Sequence, residues 1–284
     1  MYASAWPSDA APALLPAARR QRAEGRAGVE VAAMGAATRL VRLAQAGSSK
    51  VRLPNVAGRA VEAVVINTAG GIACGDRFSV DATAGEAAEL AVSTPAAEKL
   101  YRSAGATAEL SVRLRAAAGA RIDWLPQETI FFDGAAVERR FEAELAPDAT
   151  LLALEMLVLG RAAHDETVSR GRLVDRWRIR RGDRLVYADT LRLEGDLGRL
   201  AGRPSILGGT RALATLVMVG PGAETAVEPL REALNGISCG FGASGWNGLL
   251  AARFLAHDVD TLRRAATRAV IHLRRGDMPR VWRT

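Results

Sequence analysis

From about residue 21 to about residue 225, apolar side chains tend to recur at every second position. Glu109-Leu110-Ser111-Val112-Arg113-Leu114-Arg115 alternates without interruption, the pattern of a strand with one face on a core and one in water. Residues 177–180 and 185–193 repeat it on either side of Gly182-Asp183. That arrangement predicts a hairpin whose tight connection uses the positive φ that glycine tolerates. Shorter strands are predicted at 39–43, 61–66, 78–82, 90–93 and 129–132. Strands this closely spaced, with Gly, Pro or Asp between them, predict a mainly β fold and argue against a βαβ alternation. Helical spacing is confined to the last quarter. Residues 227–234 have Pro229 near the first turn and stop at Asn235-Gly236. A longer helix, capped by Asp258 or Asp260, runs to Arg275 with Leu262, Ala266, Ala269 and Leu273 on one stripe and Gly276 beyond its end. Residues 1–20 lack periodicity and hold three prolines, which predicts a poorly ordered arm. No repeat or linker divides the remainder, so 21–284 is expected to be a single, large β-rich domain with two C-terminal helices.

Composition narrows the class. The 284 residues are 49% apolar and 24% charged, with mean hydropathy of +0.04, as in a soluble globular protein with a sizeable core. The longest apolar run, 151–159, is about half of the roughly 20 residues a membrane-spanning helix needs. Residues 10–22 end on Arg19, Arg20 and Arg22, the reverse of a secretory leader, so the expected address is cytoplasmic and no membrane partner is expected. The net charge of +7 and pI near 10.3 raise the alternative of a basic nucleic-acid-binding β protein. The arginines, however, are spread almost evenly and interleaved with acids, and aromatic residues are only 5%, leaving few stacking platforms. Cys74 and Cys239 are far apart, as are His164, His257 and His272, which excludes a local zinc cage and a disulfide scaffold.

Gly240, Gly242 and Gly245 spell a Gly-x-Gly-x-x-Gly, but too little chain follows for a βαβ unit, and they read as a glycine-rich loop. Gly70-Gly71 through Asp76 lacks the Lys-Ser/Thr end of a phosphate loop, and no serine sits in a nucleophile elbow. What stands out is acids in apolar surroundings. Glu155 interrupts Leu151-Leu152-Ala153-Leu154-Glu155-Met156-Leu157-Val158-Leu159, a run with both faces in protein. A lone buried carboxylate is costly, so Glu155 is paired, for instance with Arg161, or protonated, or beside internal water. Asp76 follows a Gly-rich turn and reads as a turn cap; Asp189 falls in an apolar strand and reads as solvent-facing. His164-Asp165-Glu166 is either a surface loop or a transient metal-ligand site. A hydrolase using Asp76 and Glu155 as acid and base stays open at this point.

Longer stretches carry a resemblance. Asn67-Thr68-Ala69-Gly70-Gly71 through Gly75-Asp76 is followed by Thr94-Pro95-Ala96-Ala97-Glu98-Lys99-Leu100-Tyr101-Arg102-Ser103. Then come Trp124-Leu125-Pro126-Gln127-Glu128-Thr129-Ile130-Phe131-Phe132-Asp133-Gly134-Ala135 and Leu159-Gly160-Arg161 through Glu166. In order and spacing these resemble the urease accessory protein UreD (UreH) family, from about Gln21 to Met278-Pro279-Arg280-Val281-Trp282. Cys74 departs from a common glycine, and His164-Asp165 from the usual Met-Gly before Glu166, which puts added metal-binding character or an altered partner contact in play. The resemblance implies a non-enzymatic activation factor with no catalytic residues. It implies partners in apo-urease, UreF and the GTPase UreG, none of them nucleic acid, and no tightly bound cofactor but transient Ni2+. The implied fold is a β-helix-like stack of strands with two helices. The implied nickel path is an internal polar channel whose lining matches Asp76, Glu155 and Asp189, with Glu166 and His164 near an opening or organising its wall.

Overall fold

The computed structural model describes residues 22–56 and 58–283; the predicted N-terminal arm lies outside the described residues. In chain order the strands begin with β1 (Glu24–Met34), β2 (Ala37–Gly47), β3 (Ser49–Arg52), β4 (Val61–Asn67), β5 (Arg77–Ala84) and β6 (Glu89–Ser93). They continue with β7 (Glu98–Leu100), β8 (Ala108–Ala116), β9 (Arg121–Leu125), β10 (Thr129–Phe131), β11 (Ala136–Leu145) and β12 (Thr150–Leu159). After β13 (Arg170–Arg181) and β14 (Arg184–Asp196) come α1 (Leu197–Ala201), β15 (Ala212–Val219), α2 (Val227–Ala233), β16 (Gly240–Trp246), β17 (Leu249–Ala256) and α3 (Val259–Arg274).

These strands form two sheets that share an apolar interior. The first has the order β14-β13-β11-β8-β5-β1-β2; the second runs β16-β17-β15-β12-β9-β6-β4-β3, with β10 pairing β12 and β7. Between β4 and β13 the chain crosses from one sheet to the other at each turn, and the stacked rungs pair in parallel (β5 with β8, β8 with β11, β11 with β13; β4 with β6, β6 with β9, β9 with β12). This is a β-solenoid-like stack. The predicted hairpin closes one end of the first sheet, with Gly182 at φ +56° in its turn.

The alternating strands divide cleanly. On β11, Val137, Phe141, Ala143 and Leu145 point into the core, while Arg140, Glu142 and Glu144 on the opposite face remain partly or fully exposed. β12, β15 and β17 are different because both sides are covered. Leu152, Leu154 and Met156 leave the intersheet core and pack with Leu216, Phe254 and the apolar stripe of α3. Asp258 caps α3 by accepting from the Thr261 N–H at 2.7 Å. Leu262, Ala266, Ala269 and Leu273 are buried, and Trp282 Nε1 donates to the Leu125 carbonyl at 2.9 Å, fastening the C-terminal segment to the same face. No helix among the described residues is long and apolar enough to cross a membrane.

Two expectations need correction. Gly240, Gly242 and Gly245 do not form a loop; they belong to the edge strand β16, paired with β17. At Gly245 a Cβ would meet Val227 Cγ2 at 2.8 Å and the Glu224 carbonyl at 3.0 Å, so the glycine lets a neighbouring segment approach closely. Helices are not confined to the last quarter, since α1 follows Asp196, whose carboxylate accepts from the Arg199 N–H at 2.9 Å. Five residues are too few to show a period. Gly276 lies beyond the end of α3 as expected, the C-cap being Arg275 at φ 55°.

Candidate functional site

Three rungs of the second sheet break at the same height. β4 ends at Asn67 and the row resumes at Ile72, which bridges Leu100; β6 stops at Ser93 and resumes as β7; β9 stops at Leu125 and resumes as β10. The intervening loops, 68–71, 94–97 and 126–128, therefore stack, and they come from the three longest stretches singled out in the sequence. Backbone and side-chain bonds knit them together: Gln127 N–H donates to Thr94 Oγ1 at 2.9 Å, Glu98 N–H to the Glu128 carbonyl at 2.8 Å, and Asn67 Nδ2 to Glu98 Oε2 at 3.2 Å. Gly71 is at φ +145° with the Tyr101 ring where a Cβ would lie, so no other residue fits there.

On the next rung β12 runs straight past this gap, pairing Ala153 with Trp124 and Leu157 with Thr129. Glu155 stands between those pairs. Its inward neighbours on the strand belong to two separate apolar clusters, Ala153 to one and Leu157 to the other. The same substitution of polar for apolar recurs on five more strands, in register from β12 to β15 and β17 and from β11 to β13, and one inward step away, opposite Trp177, on β14. Arg139 lies between Val137 and Phe141, Asp175 between Leu173 and Trp177, and Thr215 between Leu213 and Val217. Asp189 lies between Tyr187 and Leu191, and Arg253 between Ala251 and Leu255. A polar belt thus crosses the interior and separates the two clusters.

Its centre is a buried ion triad. Arg139 Nη1 is 2.6 Å from Glu155 Oε2, and Nη2 is 2.5 Å from Asp175 Oδ2. Trp124 Nε1 donates to Glu155 Oε1 at 3.0 Å, and Trp177 Nε1 lies 3.4 Å from Asp175 Oδ2. Burial raises the pKa of Glu155 despite the opposing Arg139 charge, with Asp175 adding to the rise. Burial works against the charge of Arg139, but Asp175 and Glu155 together outweigh it and hold the guanidinium protonated. Beside the triad lies a cavity of about 130 Å³ lined in part by Asn67, Glu98, Gln127, Arg139, Glu155 and Asp175, roomy enough for several waters. Burial raises the pKa of Glu98 as well. Two buried atoms on this lining, Arg139 Nε and Gln127 Oε1, have no protein partner, the condition that a guest with hydrogen-bonding capacity relieves. Toward the hairpin the belt becomes more exposed: Asp189 pairs with Arg253, which also donates to Thr215 Oγ1. Tyr187, whose hydroxyl is 3.5 Å from Asp189 Oδ2, is pushed up to about 12, chiefly by burial.

The structure brings two of the five sequence-predicted residues, Glu155 and Asp189, into one belt. The partner of Glu155 is Arg139, not Arg161. Asp76 is buried elsewhere, its carboxylate accepting from the Ala23 N–H at 2.8 Å and the Ala73 N–H at 2.7 Å, so it fastens the turn before β5 to the start of β1. Cys74, in the same turn, is buried and accepts from Arg22 Nη1 at 3.1 Å. Glu166 clamps the loop after β12: Oε2 accepts from Arg161 Nε at 2.9 Å, Oε1 from the Asp133 N–H at 3.3 Å, and the Arg161 hydrogen bond holds its pKa below the usual glutamate range. His164 is exposed on that loop. Arg139, Asp175, Thr215, Arg253 and Glu98 were not anticipated. For Arg139 and Asp175 the available signal was the one that flagged Glu155, a charge interrupting the inward face of a strand. Among the described residues, no three His, Cys, Asp or Glu side chains gather as a metal-ligand set.

Comparison with known proteins places this architecture. The family model described as UreD urease accessory protein matches residues 23–283. The urease accessory protein UreD of Xanthobacter autotrophicus is 51% identical over 286 residues, covering 99% of this chain and 99% of that protein. Its counterpart in Azorhizobium caulinodans is 49% identical, covering 94% of this chain and 98% of that protein, and the one in Methylobacterium sp. is 50% identical, covering 94% and 96%. Identity at this level along almost the whole of both chains is decisive: the chain belongs to the UreD family of urease accessory proteins.

Proposed function

We propose that the chain is a non-catalytic nickel conduit in urease maturation, bound to apo-urease with UreF and UreG, and that Ni2+ travels along the polar belt between the sheets. The single observation that carries this reading is the belt itself, six strands each placing a polar side chain between the two apolar clusters, largely buried on β11, β12, β13 and β15 and half-exposed on β14 and β17. Such a layer costs folding energy, because buried charges give up hydration that their mutual attraction only partly returns. A stability role therefore explains it poorly, whereas a route for a hydrated cation needs it.

The donor chemistry suits transit. Asp189, Asp175, Glu155 and Glu98 offer carboxylates, with Thr215, Asn67 and Gln127 between and beyond them. Nickel(II) binds imidazole and thiolate sites more strongly than oxygen donors of this kind, so it is held weakly at each step. A conduit must let an ion enter favourably and still leave. Burial is graded along the path, from half-exposed Asp189 and Arg253 through buried Thr215 and Asp175 to partly buried Glu98 and Asn67. In this reading Asp76 and Glu166, whose oxygens are occupied by N–H donors, shape the walls and do not bind the ion, and His164 supplies an imidazole at the surface.

The test is co-expression of the urease subunits and accessory proteins with Glu155→Gln in place of the wild-type chain, reading bound nickel and activity together. Glutamine keeps the volume and the acceptor from Trp124 but removes the charge. Urease of low nickel content despite normal complex formation is the expected result; urease loaded fully by this variant contradicts the route.

A further inference from the structure

We propose that Arg139 is a tethered counter-ion that gates this path, occupying the carboxylates of Glu155 and Asp175 until a doubly charged ion displaces it. The inference rests on the conduit reading and adds to it the element that decides which ions pass. Arg139 bridges the two carboxylates at 2.6 and 2.5 Å with only 10% of its side chain exposed, so the oxygens a passing cation would use are already taken. Trp124 and Trp177 hold the same carboxylates in place independently, which leaves the acids positioned if the guanidinium moves away.

Charge decides the exchange. With both carboxylates ionised against the Arg139 guanidinium that they contact, the triad carries one negative charge, and a divalent cation arriving beside an unmoved Arg139 would turn that into a positive excess in a buried site. Replacement of Arg139 by the divalent cation gives neutrality. A monovalent cation in its place gives only the charge already present, so it gains nothing to offset dehydration and the movement of the side chain. The displaced head has somewhere to go. The neighbouring cavity of about 130 Å³ is also lined by Glu98 and by Gln127, whose Oε1 lacks a partner, and the Nε of Arg139 is itself unsatisfied in the closed arrangement. An arginine held only by strong contacts at every donor would be a fixed brace; this one has an unpaired donor, an adjacent space and a second carboxylate lining it.

The experiment is a titration of the isolated full-length chain with Ni2+ against a competing chromophoric chelator, comparing wild type with Arg139→Gln. Removing the resident cation should tighten Ni2+ binding by about tenfold or more, on the scale of close charge-pair couplings. The gain should vanish in the double variant Arg139→Gln/Glu155→Gln. Unchanged affinity in Arg139→Gln, or a gain that survives the Glu155 replacement, overturns the gate. Should Arg139→Gln fail to fold, Arg139→Lys keeps the charge on a head that cannot bridge both carboxylates, and a severalfold tightening is expected; equal affinity there overturns the proposal too. The titration contains no urease, so its failure is distinct from failure of the conduit, which is read by nickel loading with Glu155→Gln.

Discussion

Arg139 and Arg140 are neighbours on β11, and one sheet separates two opposite uses of the same chemistry. On the outer side, Arg113 reaches Asp81 at 3.8 Å and Glu142 at 3.5 Å, Arg115 reaches Glu144 at 3.1 Å, and Arg172 reaches Glu138 at 2.6 Å and Glu194 at 3.1 Å. These ladders run across the rungs of a solvated face, where ion pairs are screened and contribute little. On the inner side, Arg139 makes contacts of similar length with only 10% of its side chain exposed. There the desolvation penalty rivals the attraction, so the triad is an expense in stability that the outer ladders are not. The contrast separates the arginines that solvate this outer face from an arginine held between two acids inside the stack.

The largest expected effect lies inside. Replacing Arg139 alone by Met should destabilise the chain by about 3–5 kcal/mol, because two buried carboxylates lose their counter-charge, whereas replacing Arg139, Glu155 and Asp175 together by Met, Leu and Leu should be neutral or stabilising by about 1–4 kcal/mol. Chemical denaturation checks both, and a small loss for Arg139→Met would erase the distinction from the surface. Next in size is the helix that covers the second sheet. Asp258→Ala should cost about 1 kcal/mol through loss of its cap on Thr261. The Thr261 hydrogen bonds hold the Asp258 carboxyl below its ordinary pKa, so this contribution is complete above the usual aspartate value and fades as pH falls through the depressed one. The wild-type and Asp258→Ala melting curves should converge there. Smallest is the outer ladder: Arg113→Ala should change stability by about 0–1 kcal/mol, and less in high salt. A loss there equal to that at Arg139 would mean that burial does not set the difference.

The same contrast explains what the sequence revealed. β8 and the hairpin were legible because one face is wet, and α3 because its stripe and cap are both present. β15 and β17 were hidden: all eight residues of β15 are buried, so alternation vanishes under the helices. Glu155 was conspicuous for that reason, since both faces of β12 are apolar and any charge stands out. Arg139 was camouflaged by Glu138 and Arg140 on the wet face of its strand, and Asp175 by Arg176. That these charges meet depends on the parallel register of β11 with β13 and on the facing sheet, which no local spacing encodes. The repeated breaks at 68–71, 94–97 and 126–128 were visible only as separate turn-like motifs, because their stacking is a property of the rungs.

The most direct measurement is the nickel content of urease matured with the Arg139→Met/Glu155→Leu/Asp175→Leu chain, with its melting curve and co-purification with urease recorded alongside. The polar belt as conduit predicts a chain at least as stable as wild type that assembles with urease and leaves it largely without nickel. A fully loaded, active urease from the same complex would contradict it.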